Sequence, residues 1–120
     1  MILVDTSVWI SHFRDGGPYL KDLLNVGDVL CHPFIIGELA CGNLKNRKEI
    51  LSLFKSLPSA NIVAHDEFLG FIENRALMGI GLGYVDVHLL ASAILSDSPI
   101  WSLDEKLSKV AVDMDICFKH

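Results

Sequence analysis

The sequence predicts an α/β domain with a largely parallel sheet. Short apolar runs alternate with stretches of helical spacing along the chain, and this alternation is typical of strand–helix–strand units. With 120 residues and a hydrophobic content of 51%, the chain has the size of one domain and enough apolar material for a core. No internal repeat, low-complexity tract or linker divides it, so we expect residues 1–120 to form one domain.

Four apolar segments are predicted to be strands, and a fifth is a weaker candidate. The first, Ile2-Leu3-Val4, leads directly into Asp5-Thr6-Ser7, which is typical of a buried strand that ends at the start of a helix. The others are Asp28–His32, Asn61–Ala64 and Ile100–Ser102, with Asp115–Phe118 as the weaker candidate.

Helices are predicted between the strands from apolar residues three and four positions apart. The first runs through Trp9 and Phe13 and stops at Gly16-Gly17-Pro18, and Pro33 opens the helix after the second strand. The segment 84–95 is almost wholly apolar, so we expect a central, buried helix there. The remaining predicted helices are Tyr19–Val26, Ile50–Leu57, Asp66–Met78 and Asp104–Val112.

Charge and cysteine usage exclude several classes of protein. A net charge of −5 argues against a broadly basic surface that grips nucleic acid, but a nuclease remains open because metal-binding acids account for part of that charge. Cys31, Cys41 and Cys117 include no CxxC pair, so we expect buried free thiols in a reducing cytoplasm. The first residues carry no basic segment and no apolar stretch could span a bilayer, so neither a signal peptide nor a membrane helix is predicted.

Four of the fifteen acidic residues do not fit the default of a solvated surface carboxylate. Asp5 and Asp104 each follow a predicted strand, and ligands of open α/β sheets gather beyond the carboxyl ends of the strands. Asp86 interrupts the most apolar helix, where an unpaired carboxylate is costly to bury. Glu38 lies about a turn and a half into the helix after the second strand. We expect these four side chains to converge.

Each acid also has a purely structural interpretation. Asp5 and Asp104 could cap the helices that follow them, and Glu38 could be an exposed helix residue. Asp86 is the hardest to explain in this way, because its neighbours are apolar.

Converging carboxylates must take up protons or hold cations, because each close pair repels by roughly 4 kcal/mol at an effective dielectric near 20. Oxygen ligands without histidine or thiolate partners suit Mg²⁺ and Mn²⁺. Such ions lower the pKa of a bound water, orient it toward a phosphodiester and neutralise the leaving oxygen. The acids therefore predict a metal-dependent nuclease.

Four motifs carry a resemblance to a known family. They are V-D-T-S-V-W-I at Val4–Ile10, I-G-E-L-A at Ile36–Ala40, G-L-G-Y-V-D-V-H-L-L-A-S-A at Gly81–Ala93 and W-S-L-D at Trp101–Asp104. Each motif alone is a weak signal, but their order and separations together are a strong one. Over nearly its whole length the chain resembles the PIN-domain nucleases, in particular the VapC-type toxins of bacterial toxin–antitoxin pairs.

The resemblance implies a PIN-like three-layer α/β/α domain with a central, mainly parallel sheet of four or five strands. It implies that four acids bind Mg²⁺ or Mn²⁺ and organise the attacking water, and that three hydroxyls hold carboxylates or water. The acids are Asp5, Glu38, Asp86 and Asp104, and the hydroxyls are those of Thr6, Ser7 and Ser102. Relatives often have threonine at the position of Ser102, a departure that keeps the hydroxyl.

The resemblance also implies partners. The substrate would be RNA, frequently tRNA or a ribosomal RNA loop, cut to leave a 5′-phosphate and a 3′-hydroxyl. The protein would form a homodimer, and the C-terminal segment of a cognate antitoxin would fill a groove and block the acids. Apolar residues of the early helices would suit such a groove, although residues of this kind lie more often in a core. They are Trp9, Phe13, Phe34 and Ile35.

Several weaker candidates remain. The basic residues Arg14, Lys45, Arg47 and Lys48 could contact RNA phosphates, although a charged loop is usually only solvated. His88 is not expected to share an ion with Asp86, because residues two apart on a helix point to different sides.

Two other functions stay open. An aspartyl-phosphate phosphatase usually needs a second aspartate where this chain has Ser7, so that function is disfavoured. A non-catalytic binding module with the same fold is the other alternative, and the presence of all four acids speaks against it.

Overall fold

The computed structural model describes residues 1–119 and confirms an α/β fold on a parallel sheet. Strand β1 (Ile2–Val4) lies between β2 (Val29–Leu30) and β3 (Ile100–Trp101) and pairs in parallel with both. All three residues of β1 are buried, as its continuous apolar run predicts. Because β1 is paired on both sides, the position of Asp5, the residue that follows the strand, is fixed.

Within residues 1–119 the sheet has three strands rather than the four or five expected. The predicted strand Asn61–Ala64 is absent, and the chain forms only a parallel bridge from Ser59 to Cys31. The ladder stops there because its next bond would need an amide hydrogen from residue 33, which is Pro33, the first residue of α3.

The weaker candidate at 115–118 is also reduced to a single parallel bridge, between Cys117 and Ile100. Asp115 adopts a φ of 58°, which is a left-handed conformation that a strand cannot contain. The two bridges lie beside β2 and β3, so the outer strands of the expected sheet are present only as single points of contact.

Seven helices lie around the sheet in the part of the chain that the structure describes. The predicted helix 66–78 begins one residue earlier and ends at Arg75, because Ala76 adopts a left-handed φ of 52°. The helix predicted to start at Ile50 starts at Arg47, so half of the predicted basic connection is the first turn of a helix. The helices are α1 (Thr6–Asp15), α2 (Pro18–Asn25), α3 (Pro33–Ala40), α4 (Arg47–Ser56), α5 (His65–Arg75), α6 (Tyr84–Leu95) and α7 (Glu105–Asp113).

Helix α6 is the central helix, as predicted. Residues 87–93 are all buried, and the helix contacts both β3 and α5. The main core surrounds β1 and includes Trp9 and Ile35, both fully buried. These two residues are therefore core rather than groove, which is the more frequent outcome for apolar residues of this kind.

The cysteines are free thiols, as expected, but only one of them is buried. Burial raises the pKa of the Cys31 thiol to about 11, which keeps it protonated and unreactive. The expectation of burial is wrong for Cys41, which is exposed at the end of α3, and Cys117 is half-buried. Over residues 1–119, no helix has the length and apolar character that crossing a membrane requires.

A buried histidine joins α3 to α6. The Nδ1 atom of His32 accepts a hydrogen bond from the amide of Phe34 at 3.0 Å and caps α3. Nε2 therefore carries the proton and donates to the Ser92 hydroxyl at 3.0 Å, which in turn donates to the Asn61 carbonyl. Burial, together with repulsion from His88, lowers the pKa of His32 to about 4.

We predict that His32 stays neutral in the folded protein well below the usual range of histidine. The unfolded chain takes up this proton near pH 6.5, so stability is complete above that pH and falls as the pH drops toward 4, by on the order of 3 kcal/mol for this group alone. An NMR titration of the His32 ring should show no protonation at pH 5.5, whereas exposed His65 serves as the comparison. Titration of His32 near pH 6.5 would contradict the predicted network.

Candidate functional site

Asp5 is held by two serines from opposite ends of the chain. Although it occupies the N-cap position of α1, its side chain makes no capping bond. The hydroxyls of Ser7 and Ser102 instead both donate to Oδ2 of Asp5 at 2.8 Å. The carboxylate is 5% exposed, so these two bonds stabilise a charge that would otherwise be costly to bury.

The same two hydroxyls also accept hydrogen bonds from the backbone of the β3–α7 connection. The amide of Leu103 donates to Ser7 at 2.9 Å, and the amide of Asp104 donates to Ser102 at 3.0 Å. Each hydroxyl has one hydrogen and uses it on Asp5, so the 3.4 Å contact between the two serines is not a further bond. The network ties the end of β1 to the end of β3.

Glu38 is exposed on α3 but is joined to α1. Its Oε1 accepts a hydrogen bond of 2.8 Å from the Thr6 hydroxyl, one residue after Asp5. The helices α1 and α3 are in contact, so the link orients Glu38 toward the carboxyl edge of the sheet. Glu38 is an exposed helix residue, as its structural interpretation predicts. That interpretation does not account for the hydrogen bond that Glu38 accepts from Thr6.

Asp104 caps a helix with one of its two carboxylate oxygens. It is the N-cap of α7, and its Oδ1 accepts from the amide of Leu107 at 2.9 Å. The capping interpretation is therefore correct for one oxygen of this exposed carboxylate. In the described chain no hydrogen bond to Oδ2 competes with a ligand.

Asp86 lies in the first turn of α6, directly after the glycine loop. Its Oδ2 accepts from the amide of Gly83 at 3.2 Å. Burial raises the pKa of Asp86, the hydrogen bond from Gly83 opposes that rise, and repulsion from the other three predicted acids adds to it. Asp5, Asp104 and Glu38 are thus close enough for their charges to act on Asp86.

The four carboxylates suit a divalent cation in their donor chemistry. The donors are all carboxylate oxygens, the type that Mg²⁺ and Mn²⁺ prefer, and their mutual repulsion is the kind of charge that a cation offsets. Within residues 1–119, however, no three His, Cys, Asp or Glu side chains form a ready-made metal cluster. The donor atoms are of the type that binds these ions, but the described side chains do not stand close enough together to form a complete set of ligands.

A groove of about 730 Å³ lies beside the acids, between α1, α3 and the connection to α4. Glu38 stands in its wall, and Phe13 is one of its apolar residues. Two predicted phosphate-contacting residues, Arg14 and Lys45, also line it. The apolar lining residues are Ile10, Phe13, Leu39, Leu44 and Ile50.

The four basic candidates are not equivalent. The guanidinium of Arg47 donates to the carbonyls of Ala40 and Gly42 at 2.7 and 3.3 Å, so it closes the end of α3 rather than facing a ligand. Arg14 pairs with Asp15 at 3.0 Å. Lys45 and Lys48 are exposed, and only Lys45 lines the groove.

Sequence reasoning missed Lys106. Its ammonium lies against the glycine loop: a Cβ on Gly81 would stand 2.9 Å from Nζ, and Gly81 also has a φ of +89° that favours glycine. Among the described residues Lys106 forms no ion pair, although it lies two positions after Asp104. No sequence signal distinguishes it from other surface lysines.

An α/β domain with carboxylates at the carboxyl edge of its sheet defines the class of this protein. The chain belongs to the PIN domain family, whose model matches residues 2–113. It is 41% identical over 117 residues to Ribonuclease VapC32 from two strains of Mycobacterium tuberculosis, covering 97% of this chain and 94% of that protein. The predicted family resemblance is thereby confirmed.

Solved structures have the same fold. The crystal structure of PAE2754 from Pyrobaculum aerophilum matches with a TM-score of 0.65 and 16% identity, covering 95% of this chain and 94% of that one. FitAcB from Neisseria gonorrhoeae matches with a TM-score of 0.64 and 18% identity, covering 98% and 95%. The PIN-like fold is confirmed, with the smaller sheet described above.

We predict that Asp86→Asn stabilises the fold at neutral pH in the presence of a chelator. The raised pKa of Asp86 means that the folded state holds this proton more tightly than the unfolded chain, so stability is lost as the pH rises through the folded pKa. Asparagine keeps an acceptor for Gly83 and removes the charge, which should raise the midpoint of unfolding.

Urea unfolding in EDTA at pH 7.5 and pH 4 measures this effect. The gain should shrink at pH 4, and the exposed control Asp22→Asn should leave the midpoint unchanged. A lower midpoint for Asp86→Asn at pH 7.5 would show that charge repulsion is not what limits stability at this place.

Proposed function

We propose that the protein is a metal-dependent endoribonuclease, the toxin of a toxin–antitoxin pair, with residues 1–120 as one nuclease domain. The observation that carries the proposal is the half-buried carboxylate of Asp86, on which three further carboxylates act from separate elements. A fold alone does not define a function. The 41% identity to a protein named as a ribonuclease supports the same activity.

In this proposal Asp5, Glu38, Asp86 and Asp104 hold Mg²⁺ or Mn²⁺. The ion, when bound, supplies an activated water and neutralises charge on the phosphodiester. Ser7 and Ser102 orient Asp5, and Thr6 orients Glu38, by the hydrogen bonds described above. Such supporting bonds matter because a ligand set must be held close to its productive geometry.

The substrate is RNA, with tRNA or a ribosomal RNA loop as the expected targets, and cleavage leaves a 5′-phosphate and a 3′-hydroxyl. The groove beside Glu38 is the proposed site of an antitoxin segment, since it joins an apolar lining to the acids. We also propose a homodimer and a cytoplasmic location. Exposed apolar side chains such as Leu95 and Val112, 57% and 55% exposed, support the burial of further surface in an assembly.

One observation favours a second function, a PIN-fold module that binds RNA or protein without catalysis. The described acids do not form a closed metal cluster, and a module that only binds has no need of one. Tight RNA binding with no cleavage in any divalent ion would favour this alternative.

We expect purified protein to cleave total RNA in Mn²⁺ or Mg²⁺ and to lose this activity in EDTA. Asp5→Asn keeps the shape of the side chain but removes a charge from the ligand set, so the cleavage rate should fall roughly 100-fold or more. Asp113→Asn, an exposed acid at the end of α7, is the matched control and should keep full activity. Equal cleavage by the wild type and Asp5→Asn would exclude the proposed site.

We expect the product of a short adjacent reading frame to bind the groove and suppress cleavage. Ile10→Glu places a charge on the apolar lining of the groove and should weaken this complex about ten-fold or more. Val26→Glu, at a residue that is 73% exposed on another surface, is the control and should bind normally. Unchanged affinity for Ile10→Glu, measured by calorimetry, would place the partner elsewhere.

A further inference from the structure

Four aromatic rings pack together near the starts of α3, α5 and α6, and we refer to Phe34, Phe68, Tyr84 and His88 as the ring cluster. His88 stacks in parallel on Phe68, with 3.8 Å between centroids and 4° between planes. Phe34 meets His88 edge to face at 4.9 Å. Phe68 and His88 are 3% and 2% exposed, so the inner part of the cluster is core.

Tyr84 is the outer member of the ring cluster. Its ring contacts His88 at 4.6 Å, Phe68 at 5.2 Å and Phe34 at 6.2 Å, the last in a stacked arrangement. It is nevertheless 60% exposed. Contacts with three neighbouring rings restrict the orientation of the Tyr84 ring before any ligand binds, while much of the ring surface stays open to solvent.

The ring cluster lies at the same edge of the sheet as the acids. Tyr84 is two residues before Asp86 in the first turn of α6, and Phe34 is one turn before Glu38 on α3. Residues four apart share a helix face. Tyr84 therefore shares a helical turn with Asp86, and its ring contacts Phe34, which lies one turn before Glu38.

His88 gives a second indication that the cluster does more than fill space. Both of its ring nitrogens are buried and lack a hydrogen-bond partner anywhere in residues 1–119. An apolar residue of similar size would avoid that cost. Violations of local packing rules of this kind concentrate at functional sites.

We infer that Tyr84 stacks on a nucleobase of single-stranded RNA next to the phosphate held at the acids, and so positions the substrate. The inference rests on the proposed function. A flat base is the group that an exposed, pre-oriented ring fits best, and stacking tolerates any base because each has a π-face. Because this stacking reads no sequence, it acts on substrate binding and register rather than on base identity.

The test uses a short single-stranded RNA that the wild type cleaves in Mn²⁺, together with versions carrying an abasic residue at each position around the cut. Tyr84→Ala should lower kcat/KM on the intact RNA roughly ten-fold, mainly through KM. At one abasic position, wild type and Tyr84→Ala should become equal. Tyr84→Phe keeps the ring and should keep the activity.

Tyr19→Ala removes another surface tyrosine, 41% exposed on α2, and is the matched control that should behave like the wild type. Tyr84→Leu replaces Tyr84→Ala if the latter does not fold, because leucine fills volume without a π-face. An equal loss on intact and abasic RNA, or no loss at all, overturns the inference. A loss of antitoxin binding without any base dependence assigns the ring to the protein partner and also overturns it.

A binding experiment distinguishes failure of this inference from failure of the proposed function. RNA that contains 2-aminopurine near the cut should lose fluorescence on binding to Asp5→Asn protein, and the loss should disappear when Tyr84→Leu is added. If the wild type cuts no RNA, the proposed function fails, and the quenching result alone then decides whether Tyr84 stacks on a base. Absence of Tyr84-dependent quenching overturns the inference.

Discussion

Strand β1 hydrogen-bonds to a parallel strand on each side, and the placement of the acids depends on this pairing. Parallel pairing means that the strands end at a common edge, so the helices that follow them also begin there. Asp5 leaves the end of β1, while Asp104 follows the end of β3. Residues nearly a hundred positions apart thus come to face one another because of backbone pairing alone.

The acidic edge works against the stability of the fold. Asp86 is partly buried with three like charges acting on it, and a core chosen only for stability would not contain it. The opposing contribution comes from the side chains around β1 and α6, where residues such as Trp9, Leu89 and Leu90 are fully buried. A cluster of acids that costs stability must be supported by packing elsewhere.

Much of this arrangement could be predicted from the sequence because it depends on local patterns. The apolar run before Asp5 and the apolar length of α6 each specify their element without knowledge of the rest. The outer strands could not be predicted in the same way, because their pairing depends on residues distant in the chain. The bridge from Ser59 to Cys31 is not extended because Pro33 has no amide hydrogen to donate.

The sequence predicted which types of residue lie at the site, but not which groups each side chain contacts. Acids after strands indicated a common edge, whereas nothing local shows that Arg47 closes the end of α3 or that Lys106 lies against Gly81. Tyr84 belongs to a motif that the sequence displayed, yet its surroundings include the rings of two other helices, Phe34 on α3 and Phe68 on α5. Exposure of one member of a cluster is a tertiary property that periodicity does not encode.

The serine network also determines when the site can exist during synthesis. Ser102 donates to Asp5 across 97 residues of chain, so this hydrogen bond cannot form before β3 has been made. A nascent chain that has emerged as far as α6 therefore holds three of the four acids without the strand that brings the fourth. The acidic edge is therefore assembled only once β3 has been made, and a shorter nascent chain holds its acids without the hydrogen bonds that orient Asp5.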